Sequence, residues 1–135
     1  MTVAVELDDL RRRIDEFGDV ALIVTVGADY RPHVVSTRIL FDGSRLRAAV
    51  GNTTGANATD REAVTLVWPA AEHGDYCLIV DGRGVVEAAS GNRQLVVSPL
   101  RGVLHRVAGA PESQPSCVTV LDHRDGTASG AADEG

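Results

Sequence analysis

The chain has 135 residues and a net charge of -6, and its 13 basic residues are all arginine. That length implies one domain with a real core, since a globular chain of this size buries about two thirds of its unfolded surface. The acidic balance, the scattered arginines and the few aromatic residues exclude a nucleic-acid surface, and the lack of lysine excludes Schiff-base chemistry.

The opening residues lack a basic region followed by an apolar run, and no segment approaches ~18 uninterrupted apolar residues, so a soluble cytoplasmic protein with no membrane partner is expected. Leu7, Leu10, Ile14 and Phe17 recur at helical spacing before Gly18, which predicts an amphipathic helix over Glu6 to Phe17. Arg11, Arg12 and Arg13 have Asp8, Asp9, Asp15 and Glu16 as neighbours on that helix and read as a solvated face. Val20 to Val26 is apolar and β-branched, the pattern of a central strand buried on both faces. His33 to Phe41 alternates, with Val34, Ser36, Arg38 and Leu40 on one face and Val35, Thr37, Ile39 and Phe41 on the other. The polar middle of the first set fits either water or a polar site. Asp42-Gly43 signals a hairpin, and Arg45 to Val50 returns.

From Gly51 to Glu62 there is no strand pattern, but Thr53 or Thr54 could cap a short helix before the strand Ala63 to Trp68, which Pro69 ends. Tyr76 to Ala89 is long for a strand, and Asp81-Gly82-Arg83-Gly84 within it suggests a bulge or bend. Arg93 to Val97 and Gly102 to Val107 are two strand candidates around Pro99, and Ser116 to Leu121 is a last one beyond a Gly/Pro/Ser-rich loop. From His123 to Gly135 no large apolar residue occurs, so the expected division is a domain over 1–122 and a disordered tail over 123–135. Six or seven strands with one N-terminal helix give a mainly β fold, a small antiparallel closed or split β-barrel. Such a barrel fills with its own side chains, so a flat ligand belongs in a groove outside it, shared with a second copy.

The chemistry-bearing residues are sparse. Cys77 and Cys117 lie in apolar strand patterns without C-x-x-C spacing and read as buried free thiols. His33, His73, His105 and His123 are far apart, and His73 with Glu72 and Asp75 reads as a solvated loop, so no metal site is expected. There is no G-x-S-x-G, H-E-x-x-H or P-loop, and Gly82-Arg83-Gly84 sits mid-strand, which rejects a dinucleotide fold and leaves no catalytic constellation. What remains is Thr53-Thr54-Gly55, where backbone N–H groups and hydroxyls at a helix start could hold a phosphate. The same composition suits an ordinary polar crossover.

The order of these features resembles a known family. The turn ending in Arg31-Pro32, the strand with Ser36-Thr37-Arg38, the Asp-Gly hairpin, the Gly/Thr loop and Asp60-Arg61 before Val64-Thr65-Leu66-Val67-Trp68-Pro69 resemble the pyridoxamine 5′-phosphate oxidase-like, FMN-binding split barrels. The resemblance covers Glu6 to Ala88 and rests on order and spacing. It implies a homodimer with FMN, or the related deazaflavin, in grooves at the subunit interface. It places Ser36, Thr37 and Arg38 along the flavin ring and ribityl chain, Asn52, Thr53, Thr54 and Gly55 at the phosphate, and Trp68 at the pocket border. Family members usually carry one or two basic residues at about the positions of Thr54 and Gly55, and this chain has none there. Arg38 or Arg61 are the candidates to replace them.

Three functions follow from that likeness. The first is a flavin-dependent oxidoreductase acting on a small molecule, in which the cofactor does the chemistry. The second is a non-catalytic flavin carrier or haem binder, with His33 or His105 as ligand. The third is a dimeric barrel without a cofactor. Pyridoxamine phosphate is a poor substrate choice, because the C-terminal third lacks the helical, aromatic and arginine-bearing segment with which the oxidase grips it.

Overall fold

The computed structural model describes residues 3–72, 75–89, 91–106 and 117–122. His73, the loop 108–115 and the expected tail from His123 lie outside the described residues. Helix α1 spans Val3–Phe17, and among its described side chains Leu10 and Ile14, one helical turn apart, are the buried ones. The helix stops where Gly18 takes φ 101, a conformation that favours glycine, and donates its N–H to the Ile14 carbonyl at 2.9 Å. Leu10 packs over Gly102, and Arg11 donates to the Gly43 carbonyl at 3.0 Å.

Eight strands follow, all antiparallel: β1 (Val20–Val26), β2 (Pro32–Arg38), β3 (Leu40–Asp42), β4 (Arg45–Val50), β5 (Ala63–Trp68), β6 (Cys77–Ala89), β7 (Asn92–His105) and β8 (Cys117–Asp122). A second helix, α2 (Asn52–Asp60), joins β4 to β5. The sheet order is β2-β1-β5-β6-β7-β4-β3, with β8 also on β7. Its inner face holds Ile23, Leu46, Leu66, Trp68, Leu78, Val80, Leu95 and Leu121.

The single strand expected over His33 to Phe41 is broken at Ile39. This residue turns into the core and donates its N–H to the Asp19 carbonyl at 2.6 Å, so the chain leaves β2 at one edge of the sheet and enters β3 at the other. That bend curls the sheet into a split barrel.

The two strands expected around Pro99 are one. β6 and β7 form a long hairpin whose register shifts at Asp81/Gly82, and Pro99 stands opposite Gly82 at that irregularity, where its missing N–H interrupts no regular ladder. β1 also departs from expectation, burying Ala21, Ile23 and Thr25 while Val20, Leu22, Val24 and Val26 remain partly or largely exposed. Among the described residues no helix is long and apolar enough to cross a membrane.

Candidate functional site

A groove of about 330 Å³ lies in the split between β2 and β4. Strand alternation puts His33, Val35 and Thr37 on one half-buried side of β2, and with Ser36 they make one wall. Ala49 and Val50 of β4 make the other. Thr37 Oγ1 donates across the split to the Ala49 carbonyl at 3.2 Å, so a side chain bridges the walls in place of a strand ladder.

Gly51, Asn52, Thr53 and Thr54 close one end. These residues open α2, and the N-cap is Gly51 rather than Thr53 or Thr54, in extended conformation and with no side-chain cap. A Cβ on Gly51 would meet nothing within 4 Å, and the first turn carries no acidic residue. The end of α2 therefore presents uncapped backbone donors to open space, with positive dipole and no opposing carboxylate. Asn57 fixes the helix by donating from Nδ2 to Thr25 Oγ1 at 3.1 Å, a buried contact.

A second depression of about 430 Å³ shares His33 and Thr53 with the groove and is bounded by the β1–β2 turn. Tyr30 in that turn holds φ 64, rare for a residue with a side chain, and its exposed ring lies 5.7 Å from the Arg61 guanidinium.

Of the residues singled out from sequence, Ser36, Thr37, Asn52, Thr53 and Thr54 come together in the groove. Three do not line it. Arg38 sits on the outer face of β2, paired with Asp19 at 3.3 Å. Trp68 is a core residue, 1% exposed, because alternation along β5 turns it inward with Val64 and Leu66, and its indole N–H donates to the Gly18 carbonyl at 2.9 Å. Gly55 is buried on the flank of α2, against Arg93. Arg61 stands at the far end of α2, at its C-cap. His33 lines the groove, whereas His105 is paired with Cys77 across β6 and β7.

Val35, Ala49 and Val50 were missed as wall residues. The first shares Thr37's face at strand spacing and was legible; the other two needed the fold. Among the described residues no three metal-ligating side chains gather.

No protein-family model matches the chain. Uncharacterized proteins of Mycobacterium bovis and Mycobacterium tuberculosis are each 34% identical to it over 120 residues, spanning 78% of this chain and 84% of theirs. A Clostridium acetobutylicum protein related to general stress protein 26, of the pyridoxinephosphate oxidase family, superimposes with TM-score 0.64 at 10% identity, over 84% of this chain and 94% of its own. The chain belongs to one family with the mycobacterial pair, and its fold is the pyridoxamine 5′-phosphate oxidase-like split barrel. Other split barrels of the same shape carry different names. An F420 reductase matches with TM-score 0.51 at 18% identity over 62% of this chain and 88% of that one. A heme binding protein from Mycobacterium smegmatis matches with TM-score 0.58 at 15% identity over 85% and 58%.

Proposed function

We propose that this split barrel is a flavin-dependent oxidoreductase that holds FMN, or a deazaflavin, in the groove between β2 and β4 and acts on a small molecule. The observation that carries this reading is the groove's composition. Half-buried Val35 and Val50 offer an apolar wall to a planar ring, Thr37 offers a hydroxyl, and the uncapped start of α2 offers donors suited to a phosphate. The donor set fits such a cofactor.

In this reading Val35 and Val50 exclude water from one side of the ring, and Thr37, already bound to Ala49, fixes the separation of the walls. Asn52, Thr53 and Thr54 position the phosphate through N–H groups. The bound flavin would supply the hydride or electron transfer, and the lining residues would bind and orient it. The depression along the β1–β2 turn is the space for substrate, with Asp29 and Arg31 in its lining.

We further propose a homodimer. Val20 and Val34 are 50% and 51% exposed, and with Leu22, Val24 and Val26 they form an apolar patch on the outer face of β1, edged on β2 by Ser36 and Arg38.

Titration of the purified protein with FMN and with a deazaflavin, followed by fluorescence quenching, tests the reading. Saturable binding of one of them and a reducible yellow complex are expected. Haem is the second reading, favoured by His33 in the groove wall, and a Soret band on addition of haemin that is lost in His33→Ala would establish it instead. A protein that binds none of the three is a cofactorless module.

A further inference from the structure

Asn57 is a polar residue buried within helix α2, and its hydrogen bond accounts for only half of the side chain. Nδ2 donates to Oγ1 of the fully buried Thr25 at 3.1 Å, which fixes the plane of the amide against β1. Oδ1 accepts nothing among the described residues, although Asn57 is only 9% exposed. An unpaired acceptor at such a position costs free energy that an apolar side chain would not. The oxygen lies on the side of Gly27, and both residues line the depression beside the β1–β2 turn.

Gly27 locates what that oxygen faces. A Cβ built on Gly27 would stand 3.1 Å from Asp29 Oδ1, 3.6 Å from Asn57 Oδ1 and 3.8 Å from the Arg31 carbonyl oxygen, so the three atoms nearest to that point are all oxygens. Asp29 and Arg31 line the same depression. Without a side chain on Gly27, the space over its Cα is a notch of three acceptors. The Arg31 carbonyl and Asp29 Oδ1 each accept one backbone N–H, from Gly27 at 2.9 Å and from Arg31 at 3.0 Å, and each keeps a lone pair. Ala28 and Pro32 add apolar lining beside them.

We propose that the depression binds a small molecule by a primary ammonium group seated in this notch, and that Asn57 determines specificity for it. That this molecule is the substrate of a redox site rests on the flavin reading; that the notch binds it does not. An ammonium has three donors and no acceptor, which matches three converging oxygens, whereas a carboxylate would set its own oxygens against them. The ammonium is a handle and not the reacting group, because Gly27, Asp29 and Asn57 do not line the groove and the depression meets it only at His33 and Thr53. The charged and titratable groups of the depression are Asp29, Arg31 and His33. Arg31 Nε is 3.7 Å from Asp29 Oδ2 in an exposed, loosely held pair, so it competes for Asp29 but not for Asn57.

The test titrates isotope-labelled protein, without added flavin, with butylamine and with butyrate at pH 7, followed by heteronuclear NMR. Butylamine should shift the Gly27 backbone and Asn57 side-chain amide signals saturably, and butyrate should leave them in place. Gly27→Ala puts a methyl group in the notch, against an exposed Asp29 side chain that can give way, and should abolish binding. Asn57→Ala should weaken butylamine about tenfold or more, the range for loss of a hydrogen bond to a charged group. Asn57→Asp keeps the shape and adds a charge, and should tighten it, as should Arg31→Gln. Thermal melting checks each fold, and Gly27→Ala and Arg31→Gln carry the test where Asn57→Ala does not fold. Equal affinity for butylamine and butyrate, or butylamine binding that survives Gly27→Ala, overturns the notch. FMN titration of the same protein decides the flavin reading separately: butylamine binding without FMN binding keeps the notch and removes that reading, and FMN binding without butylamine binding does the reverse.

Discussion

Trp68 is the only tryptophan of the chain, and its environment makes it a probe of the core. The ring is buried among the inner faces of the sheet, and its N–H satisfies the carbonyl of the glycine that ends α1. Trp68→Ala is expected to cost about 3–5 kcal/mol in denaturant unfolding, by lost burial and a cavity. Trp68→Phe should cost less, keeping most of the packing and losing the hydrogen bond. A loss under 1 kcal/mol for the alanine variant would mean that Trp68 does not pack as described. A second residue reports on pH. Cys77 is half-buried rather than buried as its sequence pattern suggests, the side chain of Cys117 lies outside the described residues, and this partial burial pushes the Cys77 thiol above its ordinary range, so folding favours the neutral thiol. Its contribution is fully present below the unfolded pKa of about 8.5 and is lost as pH rises through the folded value. Cys77→Ala should therefore flatten the alkaline decline in melting temperature, and alkylation of the Cys77 peptide by iodoacetamide, read by mass spectrometry, should be slower in native than in unfolded protein at pH 8. Equal rates would contradict the burial.

At the scale of elements, the β6–β7 hairpin depends on Gly82. A Cβ there would lie 2.6 Å from the Ser98 carbonyl oxygen and 2.7 Å from Val97 Cγ1, closer than atoms can approach, so the strands must move apart at the bulge. Gly82→Ala should destabilise by about 1–3 kcal/mol in urea unfolding, as overpacking does. An unchanged midpoint would show that the bulge is loose. The same hairpin shows what was legible in the sequence. The bend at Asp81 to Gly84 was readable from its glycines, whereas Pro99 read as the end of one strand and the gap before another. Only the cross-strand partner of a proline tells whether its missing N–H matters, and that partner is remote in sequence. β2 and β3 were joined for the opposite reason, because alternation runs on unbroken through Ile39 while the backbone turns. Helix α1 was plain from periodicity, and strands β1, β4 and β5 from their apolar runs and flanking turn signals, although β1 read as buried on both faces and is buried on one. The groove was half legible: Thr37 and Asn52 to Thr54 are local features, but Ala49 and Val50 become wall residues only once the fold sets β4 beside β2.

For the whole molecule the open question is what covers the outer face of β1 and β2. A patch built from Val20, Leu22, Val24, Val26 and Val34 is costly to leave in water, and a stable dimer buries about 1,200–2,000 Å² in total. Sedimentation at micromolar concentration is expected to give a dimer, and Val24→Arg should give a folded monomer by placing an unpaired charge in the apolar centre. A wild-type monomer, or a Val24→Arg dimer, would remove this face from the assembly.

All residues that line the groove in the split belong to one unbroken stretch of chain, from His33 to Thr54. The long-range pairings of the sheet, β1 with β5 and β4 with β7, hold that stretch in place but contribute no lining of their own. The site is thus a local unit whose opening does not require the barrel to unzip, and it belongs to the less protected part of the molecule. A ligand that fills it would be felt mainly by the amides of that segment. Hydrogen exchange should slow from residue 33 to 54 on saturation while β6 stays as it was, and uniform slowing would show that the groove and the barrel open together.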